Sequence, residues 1–141
     1  MTMNKFSNKI SLICYISTIV LSIAVYFTAH YIRLAGNGTW GYLFGYGTAG
    51  TVIMFAMSFI AAAILGFYNV RKKWIYPFFA AVFIWLIPPT LFYFININHN
   101  EIDFIYFGYA LIFGAFYLLP HLIISFMGLG LGLLIRKNIN K

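Results

Sequence analysis

Four apolar runs, at about 10–29, 48–68, 74–95 and 105–135, contain no charged side chain and are joined by short polar or glycine-rich connections. A helix crosses the hydrocarbon core of a bilayer in roughly 20 residues, so each run is long enough for one crossing. Only 8% of the chain is charged, where soluble domains carry about 25%, and 63% is hydrophobic. The mean hydropathy of +0.91 agrees. Four crossings use most of the 141 residues, which leaves no room for a soluble domain. The predicted fold class is all-α: an integral membrane bundle of four transmembrane helices, forming a single domain over residues 1–141.

The first run follows Lys5 and Lys9. A secretory signal peptide has the same basic start, but its apolar region spans about 7–15 residues and ends at a small-residue cleavage site. The run at 10–29 is longer and ends in Thr28-Ala29-His30-Tyr31, so it is read as a retained span. Orientation follows from Lys and Arg. Lys5, Lys9, Arg71, Lys72, Lys73, Arg136, Lys137 and Lys141 flank one side of the predicted bundle, and Arg33 alone the other. The positive-inside rule then places both termini in the cytoplasm. The net charge of +7 is thereby an orientation signal, and nucleic acid is not an expected partner because no exposed basic surface is formed.

Within the spans, small residues mark faces on which helices approach closely. Ser58, Ala62 and Gly66 recur every four residues, and Gly114, Gly128 and Gly132 lie on one face of the last span. Such stripes serve helix packing in membranes. Pro88-Pro89 interrupts the third span: each proline lacks an amide hydrogen, so the carbonyls of Ile84 and Trp85 lose their usual helical partners, and a break is expected there. The excess length of the last span calls for tilt, a kink at Pro120 or an interfacial first turn.

His121 is the one ionisable side chain in the middle of an apolar run. It shares a face with Ala110, Gly114, Tyr117, Ser125 and Gly128, by spacings of three and four. Counted at about 1.5 Å per residue from Arg136 and from Trp74, His121 and Pro88 both lie roughly 21–23 Å from the basic edge. A ligand or proton site made of His121, Tyr117, Ser125, Pro88 and Pro89 follows from that shared depth, since broken helices at one level build sites in transporters. The plainer account, and the favoured one, is that a neutral His121 bonds to Tyr117, Ser125 or a freed carbonyl and fixes the packing.

No cofactor and no metal are expected. The residues nearest to a donor set are His30, His99, Glu101 and Asp103 on the outer side, and their spacing matches no recognised ligand pattern. Trp40, Tyr42, Phe44 and Tyr46 alternate through the first connection as an interfacial aromatic belt or a docking surface. Asn37-Gly38-Thr39 fits a glycosylation acceptor, which matters only in a eukaryotic secretory setting. The single cysteine, Cys14, rules out an internal disulfide and is read as core or lipid-facing packing. No span carries a carboxylate, no H-E-x-x-H pattern occurs, and no phosphate-binding Gly-Lys loop is present. Proton-coupled export through a buried acid, zinc proteolysis and nucleotide hydrolysis therefore lack their parts.

The abundance of Ile, Phe, Asn and Lys points to an AT-rich bacterial genome. The expected protein is a non-enzymatic accessory, regulatory or immunity-type partner of another membrane component. It would be a multi-pass protein of the bacterial cytoplasmic (inner) membrane, with the lipid bilayer and either another membrane protein or a copy of itself as partners. The alternative is a small transporter, channel or ligand-binding membrane subunit centred on His121 and Pro88-Pro89. An enzyme acting on lipid through His99, Glu101 and Asp103 ranks last.

Overall fold

The computed structural model of the protein describes the backbone of residues 2–35, 47–95 and 101–140, and the side chains of 6–28, 50–95, 105, 107–109 and 111–140. The described residues form α1 (Thr2–Ala35), α2 (Gly47–Phe67), a short 3-10 turn (Lys73–Ile75), α3 (Tyr76–Trp85), α4 (Ile87–Ile95) and α5 (Glu101–Ile139), with no strand among them. Four helical stretches are long and apolar enough to cross a membrane: Phe6–Thr28, Gly50–Phe67, Lys73–Ile95 and Phe107–Ile139. The third of these is α3 and α4 taken together.

Two helices outrun the apolar runs that predict them. α1 continues through His30 and Arg33 to Ala35, and α5 begins at Glu101, so Glu101 and Asp103 stand in its first turn instead of in a connection. Hydropathy marks where a helix is apolar and is silent on how far it continues into polar surroundings. The position of the two acids suits a helix N-terminus, as Arg136 and Lys137 suit the last turn, because each complements the macrodipole. The 39 residues of α5 make a rod of about 58 Å at 1.5 Å per residue, longer than the ~40–45 Å of a bilayer with its headgroups. Pro120 does not interrupt α5. It lies on the exposed face, where there is space for its ring.

The third span does break. α3 ends at Trp85, Leu86 (φ −110, ψ −37) stands between the two helices, and α4 starts at Ile87 immediately before the prolines. The Leu86 amide still bonds to the Val82 carbonyl at 3.0 Å, and the Leu86 carbonyl accepts from the Thr90 hydroxyl at 2.7 Å. The side chain thus supplies a bond where the backbone contact from the Thr90 amide is long, at 3.4 Å.

The tight turn after α2 rests on Asn69, whose φ of 51 lies in the left-handed region. The Val70 amide bonds back to the Leu65 carbonyl at 3.1 Å and the Asn69 amide to that of Gly66 at 3.0 Å. This is the 6→1 and 5→2 pair of a Schellman C-cap, closed by an apolar residue beyond the cap, here buried Val70. Asn69 also accepts from Lys73 Nζ at 2.8 Å. Asn69→Val should lower stability by roughly 1–2 kcal/mol, the cost of left-handed backbone at a residue with a branched Cβ. Asn69→Gly should be tolerated; unfolding midpoints in detergent compare the two.

The four spans form a closed ring. α5 packs most extensively against α2 and then against α3, while α1 lies on the far side against α2, α3 and α4. Phe55 of α2 sits beside His121, and the Phe59 and Ala63 carbonyls lie against Gly128 and Gly132. Residue numbers rise together along both helices, so α2 and α5 run parallel. α3 runs against α5, with Phe78 on Phe126 and Trp85 on Tyr117. Phe6 meets Tyr68, which brings the start of α1, the Arg71–Lys73 turn and the end of α5 to one end of the bundle.

Candidate functional site

The α2–α5 seam sets the geometry of the interior. Ser58, Ala62, Gly66, Gly114, Gly128 and Gly132 are all buried. A Cβ added at Gly128 would overlap the Phe59 carbonyl, one at Gly132 the Ala63 carbonyl, and one at Gly66 the Leu129 carbonyl. These obstacles are backbone atoms, so glycine here allows two helix backbones to touch. Gly114 makes the same kind of contact with the other neighbour: its added Cβ would stand 2.5 Å from the Trp85 carbonyl.

That last contact locates the break. The end of α3 is level with Gly114, seven residues or about 10 Å along α5 from His121, so Pro88-Pro89 and His121 do not share one depth. Trp85 bridges the interval. Its indole Nε1–H donates to His121 Nδ1 at 3.1 Å, and its ring stacks on Tyr117 with centroids 4.5 Å apart and planes 15° from parallel. The Phe55 ring lies 5.4 Å from the imidazole. The expected partners of His121 were Tyr117, Ser125 or a freed carbonyl; the donor is Trp85. Tyr117 contributes as the surface on which the indole rests. Pro88 and Pro89 are buried, and their part is to end α3 where Trp85 reaches the imidazole.

One turn from His121 toward the basic end lies a layer of hydroxyls, one from each span: Thr18 on α1, Ser58 on α2, Tyr76 on α3 and Ser125 on α5, each with no accessible surface. Thr18 donates to the Cys14 carbonyl at 2.8 Å and stands 2.7 Å from the Tyr76 hydroxyl. A hydroxyl has one hydrogen, so Tyr76 is the donor in that pair and keeps its own lone pairs free to accept. Ser58 lies close to Tyr76 but short of direct hydrogen-bond geometry. Ser58 Oγ, Ser125 Oγ and His121 Nε2 are buried without a hydrogen-bond partner. Cys14 is a core residue whose thiol faces the Ala61 carbonyl at 3.9 Å.

Several other sequence candidates lie outside the described residues. His99, Trp40, Tyr42, Phe44, Tyr46 and the Asn37-Gly38-Thr39 acceptor do so entirely, and for His30, Glu101, Asp103 and Ala110 only the helical backbone is described. Sequence reasoning missed Trp85, Tyr76 and Thr18. The available signal was that each apolar run carries a hydroxyl, and that Tyr76, Ala80, Ile84 and Pro88 repeat every four residues on one face of the third span.

No protein-family profile, curated protein or solved structure matches this chain. The functional reading therefore rests on the site itself.

Proposed function

We propose that the chain is a multi-pass protein of the bacterial cytoplasmic membrane, both termini inside, acting without catalysis as an accessory, regulatory or immunity-type partner of another membrane component. The observation that carries this reading is the closure of the bundle. Its central polar groups have no accessible surface, and α2 and α5 meet backbone to backbone at Gly66, Gly128 and Gly132. What remains for recognition is the outer wall and the connections. The topology supports the orientation, because the basic N-terminal, second-connection and C-terminal clusters belong to the same end and basic flanks stay cytoplasmic.

The test uses a photoreactive residue at two outward positions one turn apart or more on α5, Phe116 and Met127, which are 71% and 62% exposed, with buried Leu129 as control. Both outward positions should crosslink in native membranes to the same membrane protein, whose deletion gives the same membrane-linked phenotype as deletion of this chain. Adducts to lipid alone, together with a deletion that changes no such phenotype, would remove the reading.

A second reading, a small transporter, channel or ligand-binding subunit, draws support from the unpartnered His121 Nε2, Ser58 and Ser125. Polar and ionisable groups within spans mark pathways and sites when they face a cavity. Under it, His121→Ala abolishes flux or binding while expression and folding persist. A variant that misfolds, or that functions normally, assigns the imidazole to packing.

A further inference from the structure

The hydrogen-bond arithmetic of His121 fixes its chemistry. An indole Nε1–H only donates, and Trp85 gives that hydrogen to Nδ1. The neutral imidazole must then carry its own hydrogen on Nε2, which makes Nε2 a donor and unfit to ligate a metal. That donor is buried without an acceptor. One turn along the same face Ser125 is in the same condition, and across the seam so is Ser58. The register that sets Phe55 beside His121 and Phe59 on Gly128 brings Ser58 level with Ser125.

Other hydroxyls in the bundle do not share this condition. Thr18, Ser22 and Thr90 each donate to a carbonyl about one turn back along the chain, the usual local solution for a serine or threonine in a span. Ser58 and Ser125 forgo it, although their own helices offer equivalent carbonyls. Both are fully buried, Ser58 on the small-residue face of α2 and Ser125 on that of α5. A buried donor with no acceptor is costly, and internal water typically resolves such groups by making about three hydrogen bonds to them.

We propose that His121 Nε2–H, Ser58 and Ser125 form a binding site for an internal water molecule at the centre of the bundle. The water accepts from His121 Nε2–H and exchanges hydrogen bonds with the two serines. Ser58 in turn lies close to Tyr76, so the site adjoins the Tyr76–Thr18 pair as well as the Trp85–His121 pair, and the polar groups around it come from all four spans. This site stands whether or not the bundle has a protein partner.

The test is solid-state NMR on the full chain in phosphatidylcholine–phosphatidylglycerol bilayers, with nitrogen-15 in histidine and tryptophan. The expected result is a single imidazole N–H on Nε2, an indole hydrogen bonded to Nδ1, and magnetisation transfer from an immobilised water to the Nε2 proton. The double variant Ser58→Ala, Ser125→Ala should lose the water transfer, keep the Trp85–His121 bond and unfold at a lower midpoint. An N–H on Nδ1, or a folded protein with no water transfer to Nε2–H, would overturn the site. So would a double variant with a raised midpoint and unchanged His121 signals, since dry serines gain by becoming alanine. Tautomer and water transfer are read on the unsubstituted protein, so the outcome holds even if the variant fails to fold.

Discussion

Gly132→Ala should destabilise the bundle by about 3 kcal/mol, at the upper end of the usual cost of overpacking. Gly130→Ala, two residues away on the same helix, should be neutral or stabilise by up to ~1 kcal/mol, the helix preference of alanine over glycine. The contrast comes from what each new methyl meets. At Gly130 nothing lies within 4 Å, whereas at Gly132 the Ala63 carbonyl and the Phe67 amide of α2 stand in the way. A flexible side chain can turn aside; a helix backbone can yield only if the two helices separate. Separation would also loosen the contacts at Gly66 and Gly128, because all three glycines lie in one seam. Reversible unfolding in mixed micelles measures both variants, and equal effects at the two positions would show that α2 and α5 do not pack as described.

The second large effect is expected at Trp85. Trp85→Phe keeps an aromatic ring near Tyr117 but removes the donor to His121 Nδ1, leaving that acceptor nitrogen without its partner in the core. Stranding a buried polar group costs about 1–3 kcal/mol. His121→Leu removes both imidazole nitrogens but takes the acceptor from the Trp85 indole, so it should carry a cost of the same order. In the double variant the two losses should fall short of additivity by about 0.6–1.7 kcal/mol, the range measured for hydrogen bonds between helices in membranes. A double-mutant cycle on unfolding free energies checks this. Additive losses would mean that the indole and imidazole are neighbours without being coupled.

Much of the bundle is legible in the chain because lipid imposes one severe rule: a spanning backbone satisfies itself as a helix or a closed barrel. The apolar runs at 10–29, 48–68, 74–95 and 105–135 correspond to the four spans, and the break follows from the missing amides of Pro88 and Pro89. Helix ends were less legible. α1 reaches Ala35 and α5 begins at Glu101, since a helix already formed in the apolar run can continue into polar surroundings, where it leaves no hydropathy mark.

The polar centre was half legible. His121 and Ser125 announce themselves as polar residues in an apolar run, and the face they share follows from the helical period alone. The groups gathered around them did not, because Trp85, Tyr76, Thr18 and Ser58 come from three other spans, and a period describes one helix at a time. The depth count placed the prolines beside His121. It treated side chains as lying level with their backbones, whereas the Trp85 indole reaches back along the bundle to the imidazole.

By itself the sequence determined that this chain has four helical spans, that the third is broken at its prolines and that small residues line the faces of the second and fourth. These follow from local rules: apolar length, missing amides and side-chain size. Only the tertiary structure decided that the second and fourth spans meet in backbone contact, that α1 lies across the ring from α5, and that Trp85 is the partner of His121. Order around a bundle depends on which faces fit, a property of pairs of helices that neither member's sequence states.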